Sequence, residues 1–122
     1  MKLRSLFATL LATAALAFAD DVQKVSAAHA AKLVASGKAV LVDVREVNEY
    51  LDENIPGAKN EPLSRIGGAE ITGASAVVFH CKSGARTRMN AGALAQCTDA
   101  EVFILDGGIE AWKAAGFPVK RG

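Results

Sequence analysis

Ala76-Val77-Val78-Phe79-His80-Cys81-Lys82-Ser83-Gly84-Ala85-Arg86-Thr87-Arg88 is the stretch from which the fold is read. Ala76 to Phe79 is a short apolar run, the pattern of a buried strand. A cysteine stands where that strand should end. Small residues, a glycine and cations follow, and then Ala91, Leu94 and Ala95 recur at helical spacing within a helix expected from Thr87 to Gln96. Strand, tight loop and helix start make an anion pocket, because loop N–H groups and the first free helical N–H groups converge on whatever the loop encloses. A cysteine held there has a lowered pKa and reacts as thiolate. Lys82, Arg86 and Arg88 favour an anionic substrate. Two plainer readings stand beside this one: a cysteine after a strand is often a small buried hydrophobe, and a basic stretch is often a solvated face.

Outward from that loop, apolar strands alternate with helical segments. Ala39-Val40-Leu41-Val42-Asp43 is a continuous apolar run, as in a parallel sheet covered on both faces, and Glu101 to Leu105 is a third strand. Asp20 to Val25 adds an edge strand. Ser26 caps a helix running to about Ser36, with Ala27, Ala30, Ala31 and Val34 inward and Gly37 at its end. His29 is read as a surface or half-buried residue and not a ligand, since no second His, Cys or carboxylate stands at metal spacing from it. Glu46 to Leu51 reads as a short helix, where Arg45 and Glu49 can pair at i, i+4. Ile55-Pro56-Gly57-Ala58 is a turn, and Glu61 to Ile66 is a loop or single helical turn. Asp106-Gly107-Gly108 turns into a last helix, Ile109 to Ala115, with Trp112 as a packing residue. The alternation predicts one α/β domain, with a central mostly parallel sheet and helices on both faces. Sites form at the carboxyl ends of such strands, where Asp43 and Cys81 both fall.

The 122 residues hold one domain. Residues 1–19 have the pattern of a secretory signal: a basic start at Lys2 and Arg4, an apolar stretch from Leu6 to Leu16, and Ala17-Phe18-Ala19 as the cleavage site. The apolar stretch is short of the roughly 20 residues a spanning helix needs. A cut after Ala19 leaves 103 residues, 20–122, in the periplasm or outside the cell, with 12 basic and 13 acidic residues. That charge gives no reason to expect nucleic acid or an acidic membrane as partner. Cys81 and Cys97 flank the expected helix and lie roughly 16 Å apart along it, beyond the 7 Å or so that a disulfide spans. Cys97 shares the apolar face of Leu94 and is read as a packing residue, with a resolving thiol as the alternative.

The motifs resemble those of the rhodanese domain family. Leu41-Val42-Asp43-Val44-Arg45-Glu46, Glu49-Tyr50 and Ile55-Pro56-Gly57-Ala58-Lys59-Asn60 resemble its amino-terminal signature. Cys81 to Arg86 resembles its active-site loop. Gly107-Gly108-Ile109-Glu110-Ala111-Trp112 with Gly116-Phe117-Pro118-Val119 resembles its carboxyl-terminal signature. The likeness runs from about Val25 to Val119 and is to single-domain sulfurtransferases, including exported ones. Glu53-Asn54 departs from the family's usual Gly-His.

The resemblance implies transfer of a sulfane sulfur from thiosulfate or a similar small anionic donor to cyanide or a thiol, through a persulfide on Cys81, without cofactor or metal. It implies that Lys82, Ser83, Gly84, Ala85, Arg86 and Thr87 bind the donor, while Asp43 and Arg45 brace the site. A protein can also be the sulfur acceptor. His80 points to the other strand face from Cys81, against a Cys–His base pair. A cysteine phosphatase or arsenate reductase on the same architecture uses Cys-x5-Arg, whereas Cys81 to Arg86 is Cys-x4-Arg. A partner-dependent sulfur carrier or binding domain is the other alternative.

Overall fold

The computed structural model describes residues 22–122. The expected signal at 1–19 and its cleavage site lie outside them. Five short strands form one parallel sheet in the order β1 (Gln23–Val25), β6 (Glu101–Leu105), β5 (Ala76–His80), β2 (Ala39–Asp43), β4 (Lys59–Asn60). Between them run α1 (Ala27–Ala35), α2 (Val47–Asp52), a 3-10 helix (Leu63–Gly68), α3 (Ala85–Met89), α4 (Ala91–Gln96) and α5 (Gly108–Ala114). Two two-residue strands, β3 (Glu53–Asn54) and β7 (Lys120–Arg121), pair antiparallel outside the main sheet.

Side chains alternate across the sheet with the period of two that a strand imposes. Val77 and Phe79 of β5, with Val42, Val102 and Ile104, pack against Ala91, Leu94 and Ala95 of α4 on one face. Ala76 and Val78, with Ala39, Leu41, Phe103 and Leu105, pack against Ala27 and Ala30 of α1 and Ile109 and Trp112 of α5 on the other. Every residue of β5 is buried, which accounts for its unbroken apolar run. Trp112 is buried as expected, its indole N–H donating to the Pro118 carbonyl at 2.8 Å. Ser26 caps α1 by accepting the His29 N–H, and His29 itself is exposed.

Three expectations are corrected. The helix expected from Thr87 to Gln96 is two helices, because Asn90 leaves helical geometry (φ −117°, ψ 18°) and its side-chain amide donates to the Arg86 carbonyl at 2.7 Å. Such side-chain bonds compete with the helical ladder. The Arg45–Glu49 pair does not form: α2 starts only at Val47, and Arg45 turns back to Asp43. The last helix begins one residue early, at Gly108. Cys81 and Cys97 are both buried. Cys97 packs in the core cluster of β5 and α4.

Candidate active site

Pairing in register brings Asp43 opposite His80, so Asp43 and Cys81 emerge at the same carboxyl edge of the sheet. Asp43 is fully buried and takes four hydrogen bonds from Arg45, one from its backbone N–H and three from its guanidinium, at 2.7–3.1 Å. Arg45 also donates to the Glu53 carbonyl at 2.7 Å. The pair braces the floor of the loop, and Asn60 adds to it by donating to the Asp43 and Arg45 carbonyls. His80 is buried in the same layer. Its Nδ1 lies 3.0 Å from the Cys81 carbonyl and its Nε2 3.6 Å from Asp43. Burial lowers the His80 pKa more than the Asp43 carboxylate and the Cys81 carbonyl raise it. A neutral ring therefore donates from Nδ1 to the carbonyl, and its Nε2 has no hydrogen-bond partner among the described residues.

The Cys81 side chain turns into a cradle made by its own loop. Gly84 N–H donates to Sγ at 3.1 Å, and Thr87 Oγ1 lies 3.7 Å from it. Burial pushes the Cys81 thiol up, but the Thr87 N–H and hydroxyl and the Gly84 and Arg86 N–H groups outweigh it, and the net shift is down. The cradle closes this tightly because Gly84 adopts φ +97°, a conformation open to glycine. It is also held from outside. Ile109 N–H donates to the Cys81 carbonyl at 3.0 Å and Glu110 N–H to the Lys82 carbonyl at 3.1 Å. At Gly108 (φ +61°) a Cβ would stand 2.5 Å from both of those carbonyl oxygens. The start of α5 thus turns the loop carbonyls away from the sulfur and leaves the N–H groups facing it.

The other loop residues separate by exposure and partner. Lys82 and Ser83 are exposed, Ala85 is half-buried at the start of α3, and Thr87 is buried with its hydroxyl donating to the Gly84 carbonyl at 3.0 Å. Arg86 is half-buried and forks onto Glu49, at 2.8 Å to Oε1 and 2.9 Å to Oε2. The Arg86 guanidinium beside it lowers the Glu49 carboxyl to about 2. Arg88 is exposed, with one guanidinium nitrogen close to Gly84. Glu49 belongs to the site although sequence reasoning set it beside Arg45; a contact spanning 37 residues leaves no spacing signal. Asn54 donates to the Tyr50 carbonyl at 3.0 Å, so it fills the position of the family's usual histidine with a local hydrogen bond.

A cleft of about 200 Å³ opens beside the loop, lined by Arg45, Glu49, Glu53, Lys82, Glu110 and Lys113 among others. A larger one of about 340 Å³ sits near Ile71 and Thr98, at the opposite end of the strands, and shares no residue with the loop. Among the described residues no three His, Cys, Asp or Glu side chains group as a metal site, and no helix is long and apolar enough to cross a membrane.

The profile described as a rhodanese-like domain matches residues 26–115. The HTH-type transcriptional regulator Rv0324 of Mycobacterium tuberculosis is 41% identical over 91 residues, 71% of this chain and 40% of that protein. A sulfurtransferase of Allochromatium vinosum is 38% identical over 82 residues, 66% of this chain and 77% of that protein. A solved thiosulfate sulfurtransferase from Pseudomonas aeruginosa superposes with a TM-score of 0.74 at 26% identity, covering 83% of this chain and 20% of that one. The chain spans 40–61% of the length of three of the curated relatives it matches.

Proposed function

The chain belongs to the rhodanese-like domain family, and from this we propose that it is a sulfurtransferase whose nucleophile is Cys81. The observation that carries the reading is the cradle: a buried sulfur faced by the Gly84, Arg86 and Thr87 N–H groups, with its pKa lowered. The Cys81 thiolate attacks the outer sulfur of thiosulfate or a similar donor. A new S–S bond forms on Cys81, the donor's S–S bond breaks, and its electron pair leaves with sulfite. The persulfide is itself an anion, and the same N–H groups stabilise it. Cyanide or a thiol then attacks the outer sulfur and returns Cys81 as thiolate. Lys82 and the loop from Ser83 to Thr87 receive the donor, while Asp43 and Arg45 hold the floor. His80 faces Asp43 and the backbone and does not act as base for the sulfur.

Thr87 supports this chemistry in a second way. Its hydroxyl donates to Gly84 O in the resting loop yet lies within reach of Sγ. Rotation about its C–O bond lets the proton follow the charge as thiolate becomes persulfide. The loop has four residues between Cys81 and Arg86, one fewer than a cysteine phosphatase needs to wrap a tetrahedral oxyanion. We place the mature enzyme in the periplasm or outside the cell, on the pattern of residues 1–19.

Exposure to thiosulfate is expected to add one sulfur atom to the protein, located on Cys81 by peptide mass, and Cys81→Ser removes both adduct and turnover. An adduct that survives in Cys81→Ser, or maps only to Cys97, overturns the reading.

A further inference from the structure

Arg86 is the cation that the loop places nearest to the helix start, yet both of its terminal nitrogens are engaged by Glu49. Glu49 is itself anchored from behind. Its Oε1 accepts the Glu46 N–H at 3.1 Å, and the Glu46 carboxylate in turn takes the Ser64 hydroxyl at 2.6 Å. The pair is therefore fixed to the first turn of α2 and to the 3-10 helix, in the bidentate geometry that makes such contacts strong. Other cations of the adjoining cleft are committed too: Arg45 to Asp43 and Lys113 to Glu53. What remains is exposed Lys82, faced by exposed Asp52 and Glu110, with Arg88 approaching from outside.

We infer that Glu49 is a specificity-determining residue of the Cys81 site: by holding Arg86 it biases the loop toward singly charged sulfur donors over the thiosulfate dianion. This rests on the sulfurtransferase reading and deepens it. Coulomb energy scales with the charge of the incoming donor. A withheld cation therefore penalises a dianion about twice as much, on a logarithmic scale, as a monoanion carrying the same transferable sulfur.

Methanethiosulfonate and thiosulfate make the pair of probes. In both, the Cys81 thiolate attacks the terminal sulfur and the S–S bond breaks. The electron pair leaves with methanesulfinate in one case and with sulfite in the other. The reactions differ in donor charge, one against two. Glu49→Gln keeps an oxygen for the Glu46 N–H and removes the negative charge. It is expected to raise kcat/KM for thiosulfate by about tenfold and for methanethiosulfonate by about threefold, chiefly through KM. Glu49→Gln/Arg86→Gln removes both charges together and is expected to keep the parent's ratio between the donors within about twofold. This double variant also carries the test if the single variant does not fold. A ratio unmoved in Glu49→Gln, or a ratio shifted as far in the double variant as in Glu49→Gln, overturns the inference while leaving sulfur transfer in place. Absence of Cys81-dependent transfer from either donor in the parent protein removes the function and the inference with it.

Discussion

The chemistry proposed for Cys81 rests on residues that carry none of it. Gly108 has no side chain, and that is its contribution: α5 begins so close to the loop that a Cβ would stand 2.5 Å from the Cys81 and Lys82 carbonyl oxygens. Two N–H bonds from Ile109 and Glu110 fix those carbonyls on the far side of the sulfur. Gly108→Ala is expected to cost about 2 kcal/mol or more of stability, from the positive φ and the overlap together. It should also lower sulfur transfer at least about tenfold and raise the apparent pKa of Cys81, read from the pH dependence of its alkylation. A variant that loses stability while the alkylation profile stays put shows the clamp to be a fold element and not a tuner of the thiol. Gly84 is the complementary case. Its φ of +97° lets its N–H turn onto Sγ, a conformation that glycine adopts without steric cost.

At the scale of elements, the sequence was legible where burial is two-sided or where a cap has its own chemistry. β2, β5 and β6 are unbroken apolar runs because helices cover both faces, and Ser26 and Gly37 bound α1 by side-chain capping and a left-handed turn. The two-residue strands β3 and β7 were not legible, since two residues carry no period. The break at Asn90 was hidden inside a pattern of alanines and leucine that fits one long helix; it shows in the non-helical backbone of Asn90 and its side-chain bond to the Arg86 carbonyl. The same principle of local closure governs the Cys81 loop. Gly84, Arg86 and Thr87 reach Sγ only because each stands at its present distance from Cys81 along the chain. Inserting one glycine between Gly84 and Ala85 moves Arg86 and Thr87 out of register with the sulfur and pulls Arg86 from Glu49. Transfer from thiosulfate should fall by at least tenfold, about 1.4 kcal/mol of transition-state stabilisation, with circular dichroism unchanged. Unaltered turnover would mean that the spacing of the loop does not matter.

For the molecule as a whole, the buried polar layer beneath the loop couples the site to global stability. Asp43, Arg45 and His80 are all buried where β2 and β5 end. The Asp43 carboxylate favours a proton on His80, but burial outweighs it and holds the ring's pKa below its ordinary 6.5. The sign of the consequence follows from proton counting. Between the folded and unfolded pKa values the unfolded chain binds a proton that the native ring does not, so stability rises with pH there. On acidification, stability is full above about 6.5 and drops below it, with a limiting slope near 1.4 kcal/mol per pH unit. Glu49 adds a second window. Its folded pKa of about 2 lies under the ordinary 4.5, so its contribution is present above 4.5 and is lost as pH falls toward 2. That part is smaller and salt-sensitive because the Arg86–Glu49 pair is partly exposed. Urea unfolding from pH 8 to pH 3 should show a midpoint that falls below about pH 6.5, and the fall between pH 6.5 and 5 should be indifferent to salt, the signature of a buried group. His80→Gln, which places an amide where the ring stood, should flatten the slope between pH 6.5 and 5 while leaving the further loss below 4.5, and Glu49→Gln should do the reverse. If the slope above pH 5 persists in His80→Gln, the ring is protonated in the native state and Asp43, not burial, governs the layer under the Cys81 loop.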